Sequence, residues 1–231
     1  MKNLSARNAL FISLSFIILM WIMKLIHNIF FIDTILEWAR SMQTYSFYGL
    51  AYGVFTVILI TLLLRISNER YKDIGFNKQN LVKQIGTGFL FGLIIFIIMN
   101  LVINTIVDAL LPEKSAEGAD LSVLFQSLMY LPVWIVLAIF KSGFSEELFR
   151  IFTLTRFEKM FGKSGLLIAL IVGSVIFGFG HYYQGVGGII GATIRGLLYA
   201  LVYLRKRRSF EAVSAHAVFN LLNISFGYVL Y

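Results

Sequence analysis

Long apolar runs alternate with short basic loops along almost the whole chain, and that alternation decides what it can fold into. A bilayer-spanning helix needs roughly 20 apolar residues. Runs of about that length lie at 9–32, 45–65, 85–111, 121–141, 164–181, 187–204 and 210–230. In hydrocarbon every backbone N–H and C=O must be bonded within its own segment, so such runs form helices. Only 14% of the 231 residues are charged and 58% are hydrophobic, whereas a soluble domain carries roughly a quarter charged residues. Phe is frequent (22) and Pro scarce (2), which favours long helices. The expected class is all-α: a polytopic membrane bundle of about seven transmembrane helices, with an amphipathic helix at 143–161 between the fourth and fifth. Neither a soluble domain nor an internal repeat is visible, so 1–231 reads as a single membrane domain. The opening run, behind Lys2 and Arg7, is too long for a signal peptide and is read as a retained span.

The net charge of +8 does not point to nucleic acid, because the basic residues fall mostly in the loops between runs. Orientation in a membrane explains them better. With the N-terminus in the cytoplasm, the loops 65–84, 141–163 and 205–208, rich in Lys and Arg, fall inside. The loops 33–44, 112–120 and 182–186 fall outside and hold only Arg40 and Lys114 between them. The C-terminus is then outside the cytoplasm. "RKRR" at 205–208 is read chiefly as a topology anchor, with a lipid-head-group or partner site as the other reading. "RYKDIGFNKQNLVKQ" (70–84) is either an interfacial helix or a solvated loop. There is no cysteine, which excludes disulfides and thiolate metal sites.

An ionisable group inside a bilayer costs roughly 2.5–3.5 kcal/mol on insertion scales, so each one there is a functional candidate. The candidates are Glu146, Glu147, Arg150, His181, Arg195, His216 and Asn220. Lys24 and His27, near the end of the first run, are read as snorkelling, and Asp108 as reaching the interface. Arg150 lies four residues from Glu146 and three from Glu147, so it can pair with either on a helix face. The two glutamates point about 100° apart and cannot share one role. His216 and Asn220 are four apart on one side of a helix, and Gly178 and Gly180 let a neighbouring helix come close to Phe177 and His181. A carboxylate in low dielectric is a general base, imidazole orients water or binds metal, and an amide donates to an oxyanion. That set suffices to hydrolyse a peptide bond without a Ser or Cys nucleophile.

"EELFR" (146–150), "FGFGH" (177–181) and "HAVFN" (216–220) resemble, in order, the EExxxR, FxxxH and HxxxN motifs of the CAAX-protease and bacteriocin-processing (CPBP, Abi) family of intramembrane proteases. The eukaryotic prenyl-protein endopeptidases belong to the same superfamily. The resemblance covers about 120–231, read as the catalytic core, with 1–119 as additional N-terminal helices. The first motif departs from the pattern, since only Leu148 and Phe149 separate the glutamate pair from Arg150. Either the helix has lost one residue, or Ser145 and Glu146 fill the two glutamate positions. Under the first alignment the resemblance implies that Glu146 activates water and His181 helps hold it. Glu147 and Arg150 would support the site, while His216 and Asn220 would bind the oxyanion. Zinc stays open, with Glu146, His181 and His216 as candidate ligands. The motifs sit at different heights by simple counting, so 143–161 is expected to dip into the bilayer, in a water-filled cavity open to the cytoplasm.

Arg195 is covered by no motif; it counters a site carboxylate, holds a substrate carboxylate or makes a structural ion pair. "GFSE" (143–146) also looks a little like the nucleophile stretch of rhomboid serine proteases, which would pair Ser145 with His216. The expected function is an intramembrane endopeptidase acting on a small peptide or membrane-associated protein, in bacteriocin maturation, self-immunity or peptide signalling. The alternatives are a non-catalytic bacteriocin immunity protein and a small proton-coupled transporter. The expected location is the cell membrane. A reporter fused to the C-terminus should lie outside the cytoplasm and one inserted at 205–208 inside; the reverse outcome refutes the orientation.

Overall fold

The computed structural model describes residues 5–30, 41–111 and 127–230. Residues 33–40 of the expected loop 33–44 and the whole of 112–120, with Arg40 and Lys114, lie outside the described residues, as do 31–32 of the first run and 121–126 of the fourth; 42–44 are helical. The described chain is helical, with no strand. Helix α1 is Ala6–Phe30 and α2 is Met42–Ile66. Helix α3 is Leu81–Leu110, π-helical over Met99–Ile103. The short α4, Leu131–Val136, runs without a break through a π-helical stretch, Leu137–Glu146, into α5, Glu147–Phe179. Helices α6 (Gly185–Lys206) and α7 (Ser209–Leu230) complete the order. Of the 70–84 segment, Tyr71–Ile74 is a 3-10 turn, 75–80 is loop and 81–84 already belong to α3.

One expectation needs correcting. The fourth run, the amphipathic helix and the fifth run are one helical stretch of 52 residues, Leu128–Phe179. Straight, it would measure about 78 Å, far more than a bilayer's roughly 30 Å of hydrocarbon. It is not straight, because Gly162 has φ 65° and ψ −146°, which no helix accommodates. There the stretch doubles back, and Arg150 on one arm comes to lie 4.3 Å from the Phe177 ring on the other. Counted as helices, five stretches among the described residues are long and apolar enough to span a membrane. Ser209–Leu230 is not counted among these five.

Lys141 and Arg150, grouped above with a cytoplasmic loop, therefore sit well inside the bundle. Lys141 is about 30 Å of helix from the bend. The polar end of the molecule gathers at the bend instead. Arg156 donates to both Glu69 oxygens at 2.8 and 2.7 Å, and Lys159 lies 2.8 Å from the same carboxylate. Arg207 makes a second two-pronged pair with Glu158, both bonds 2.7 Å. The Ser209 backbone N–H donates to the Gly75 carbonyl, and the Ser209 hydroxyl to that of Ile74. So the 67–76 loop, the lower part of α5 and the α6–α7 turn are tied together. Burial alone would raise the Glu69 carboxyl, but hydrogen bonds and charge from Arg156 and Lys159 hold it below its usual value. Its stabilising contribution is thus present above the ordinary carboxylate range and fades as pH falls through that lowered value.

The upper core forms by close helix approach. Gly88 and Gly92, four apart on α3, let α7 come so near that a Cβ on Gly92 would sit 2.7 Å from the Ala215 carbonyl oxygen. Gly178 likewise admits α6, as expected: a Cβ there would meet the Ile189 carbonyl oxygen at 2.6 Å. Trp21 of α1 stacks on Phe157 at 5.5 Å. These contacts leave α5 enclosed by α1, α6 and α7.

Gly162→Ala should separate conformation from packing, because nothing lies within 4 Å of a Cβ built there. A residue other than glycine in that backbone region is strained by about 1–3 kcal/mol. The variant should unfold at correspondingly lower denaturant in detergent; unchanged stability would mean that the bend does not depend on glycine.

Candidate active site

The π-helical stretch Leu137–Glu146 sets up the site before any motif residue is reached. In an α-helix, residues five apart point about 140° away from each other. A π-turn closes i to i+5 and so brings such residues near one another. Lys141 and Glu146 are five apart on this stretch, and the ammonium lies 2.7 Å from Glu146 Oε1. The charge pattern of the loops placed Lys141 at the start of the cytoplasmic stretch 141–163, where pairing with the two glutamates would make it part of an interfacial charge cluster rather than of a buried site. The only signal pointing to it was its isolation as the single charge in 121–145.

From Glu147 onward the helix is regular, so Arg150 reaches back three residues. Its Nε donates to both Glu147 oxygens at 3.1 Å, and its Nη1 to the Gly196 carbonyl of α6 at 3.2 Å. The pairing with Glu147, left open by sequence spacing, is thus settled against Glu146. His216 of α7 completes the cluster. Its Nδ1 lies 2.8 Å from Glu147 Oε1 and its Nε2 3.7 Å from Glu146 Oε2. One imidazole therefore stands between two adjacent carboxylates, and each faces a different ring nitrogen. A carboxylate only accepts, so the Nδ1 facing Glu147 carries the proton. Glu147 is 0% exposed, whereas Glu146 keeps 12%. The inner glutamate is wholly taken up by Arg150 and His216, and the outer one keeps an oxygen, Oε2, beyond hydrogen-bond reach of His216.

Aromatic rings fix the imidazoles. Tyr199 of α6 stacks on His216 with ring centres 4.2 Å apart and planes 18° apart. Phe177 meets His216 edge-on at 6.0 Å and His181 at 4.9 Å. His181 follows the end of α5, and its Nδ1 sits 3.0 Å from the Phe177 carbonyl oxygen. That nitrogen donates, which leaves the neutral ring's Nε2 as an acceptor. Asn220 lies one turn beyond His216 on α7, half-buried, and its amide makes no hydrogen bond to the described residues. Of the six expected catalytic residues, Glu146, Glu147, Arg150 and His216 touch one another directly. His181 joins through Phe177, and Asn220 stands apart. Tyr199 was missed, since a tyrosine in an apolar run carries no pattern that marks it.

A cavity of about 50 Å³ opens on the other side of Glu146 and Arg150, walled by α1 and both arms of α5. That is room for a few waters, at roughly 10–15 Å³ of such volume each. Three wall residues carry buried polar atoms with no protein partner: Ser145 Oγ, Arg150 Nη2 and Thr153 Oγ1. Lys24 also lines it, its ammonium 5.3 Å from the Phe177 ring. It does not snorkel, because it shares the face of α1 on which Trp21 packs against α5. Ser145 makes no pair with His216, both of whose nitrogens face glutamates. The serine-protease arrangement is therefore absent. Among the described residues no three His, Asp or Glu side chains converge on a point where a metal ion could sit. Lys141 already occupies one Glu146 oxygen, and Phe177 stands between His181 and His216. The candidate zinc set does not fit.

Residues 127–222 match the family model described as Rce1-like, type II CAAX prenyl endopeptidase. That span contains all three motifs and Lys141. No curated protein and no solved structure matches the chain.

Removing one partner of a buried ion pair typically costs about 3–5 kcal/mol, because the other charge is left unpaired. Glu147→Gln strands Arg150 and should lower unfolding free energy by about that much. Glu146→Gln, on the exposed side, should cost clearly less. Equal melting temperatures for the two variants in detergent would contradict this division.

Proposed function

We propose that the chain, whose residues 127–222 match the Rce1-like family model, is an intramembrane endopeptidase that hydrolyses its substrate with water activated by Glu146. The observation that carries this reading is the asymmetry of the two carboxylates. Glu147 is fully engaged, while Glu146 keeps an oxygen beside a cavity large enough for water. Glu146 Oε2 takes a proton from water as the water oxygen attacks the scissile carbonyl carbon. The negative charge passes to the substrate oxygen. The tetrahedral intermediate then collapses, the C–N bond breaks, and the proton on Glu146 passes to the leaving amine.

The remaining residues serve that exchange. Glu147 and Arg150 hold His216, and Tyr199 stacks it in place. Water is held by His181 through its accepting Nε2, and Asn220 offers the neutral amide that donates to the oxyanion. The site does not offer a metal cradle, so no step passes through one. The substrate class we propose is a small peptide or a membrane-associated protein segment. The setting, on the family resemblance, is bacteriocin maturation, self-immunity or peptide signalling.

The test is hydrolysis of a peptide library by the purified chain, read by mass spectrometry. Glu146→Gln should lower turnover about 10²–10⁴-fold, the usual contribution of a general base. Folding should be nearly unchanged, and the wild type should keep its activity in strong chelator. Full hydrolysis by Glu146→Gln would overturn the mechanism.

A further inference from the structure

The first helix lies outside the span that matches the family model, residues 127–222, yet it brings a charge to the site. Lys24 and Trp21 are three residues apart on α1 and share one of its faces. Trp21 stacks on Phe157 of α5, so that face is turned inward and carries Lys24 with it. The ammonium comes to stand 5.3 Å from the Phe177 ring. Its Cε and Nζ fill the place where a Cβ on Gly180 would be. A glycine directly before His181 thus clears room for this lysine. Lys24 and Glu146 both line the cavity between α1 and α5, and the two interact electrostatically.

The walls of that cavity sort by charge. Among the described residues that line it, Lys24 and Arg150 are the cations and Glu146 is the anion. Met20, Leu154 and Leu170 stand beside them, and apolar walls by themselves hold no water. Arg150 is engaged by Glu147 through Nε and by Gly196 through Nη1, which leaves Nη2 without a protein partner. An ammonium offers donors and no acceptor, and an ionised carboxylate offers acceptors and no donor. Water between such walls turns its oxygen toward the cations and a hydrogen toward Glu146. From that orientation Glu146 can take a proton, and a positive charge at the water oxygen favours its loss.

We propose that Lys24 is a positioning residue for the hydrolytic water: its ammonium holds and orients the water that Glu146 deprotonates. The assignment rests on the peptidase reading. It makes α1 part of the working site, although none of the three motifs includes it.

The test is hydrolysis, by the full chain in detergent, of a peptide that the wild type cleaves, with kcat and KM read separately. Losing one charge-assisted hydrogen bond to the water predicts a kcat roughly tenfold to a hundredfold lower for Lys24→Ala, with KM nearly unchanged. Propylammonium replaces the atoms that Lys24→Ala removes and should restore part of the lost kcat. Propanol, of similar size and uncharged, should not. A lysine that only packs α1 against α5 gives no such difference. Unchanged kcat in Lys24→Ala, or a loss that propylammonium relieves no better than propanol, overturns the proposal. Should Lys24→Ala not fold, Lys24→Met decides, because it fills a similar volume without the charge. A lower kcat at unchanged KM then supports the assignment, and an unchanged kcat overturns it. A fully active Lys24→Ala beside an inactive Glu146→Gln sinks this proposal alone. A wild type that hydrolyses none of the peptide library sinks the peptidase reading, and this assignment falls with it.

Discussion

The buried pair between Glu147 and Arg150 is the interaction on which the rest of the site depends. A carboxylate at 0% exposure inside a bundle read as membrane-spanning is tolerable only if its charge is met and its lone pairs are filled. Arg150 meets the charge with Nε, His216 fills an oxygen with Nδ1, and Gly196 takes Nη1 on the far side. Those partners come from α5, α7 and α6. One side chain thus fixes the mutual position of three helices, and with it the distance between His216 and Glu146. The same logic explains why Phe177 and Tyr199 crowd this point. Apolar rings against the guanidinium and the imidazole keep water from competing for the donors.

The arm that carries this pair is held at its other end too. Arg156, 1% exposed, is locked to Glu69, and Glu158 to Arg207. An arm clamped near both ends and bent back at Gly162 has little freedom to shift its register. The basic run 205–208 takes part in that clamp. Arg207 pairs with Glu158, while Arg205 and Arg208 share Glu211 at 2.6 and 3.4 Å. Its residues therefore serve the fold as well as the orientation for which their charge was read.

What the sequence revealed and concealed follows from the range of the forces involved. Apolar runs report the solvent each segment prefers, so the helices and the polytopic class were legible without neighbours. The three motifs carried the site, because Glu146, Glu147, Arg150 and His216 are polar where polarity is expensive. Whether 143–161 would leave the membrane was harder to read. Its charges, Arg156, Glu158 and Lys159, suggest a surface helix until Glu69 and Arg207 are seen to satisfy all three. A pairing of Lys141 with the glutamates could be read from sequence only as an interfacial cluster; that Lys141 meets Glu146 inside the bundle follows from the π-helical stretch, which brings residues five apart together. Lys24 was misread because its neighbours on α5 are far away in sequence. Gly162 looked like one glycine among 19, since a positive φ leaves no mark on composition.

The resting arrangement also bears on how a clamped carboxylate can act as a base. With Lys141 on one oxygen, Glu146 is neutralised as a pair, so proton uptake would seem to leave the ammonium stranded in low dielectric. The proposed hydrolysis would avoid that cost. Were Glu146 to take the proton from water, the negative charge it gave up would reappear on the substrate oxygen, and the net charge of the site would be unchanged. The lysine, on a flexible four-carbon stem, needs only a small movement to follow the charge. Arg150, held by Glu147 and Gly196, cannot do the same. In the proposed mechanism the two cations would divide the work: a planar, fixed one keeps the scaffold together, and a mobile point charge accompanies the reacting anion. Exchanging the two residue types between these positions would leave the charge count intact and undo both tasks.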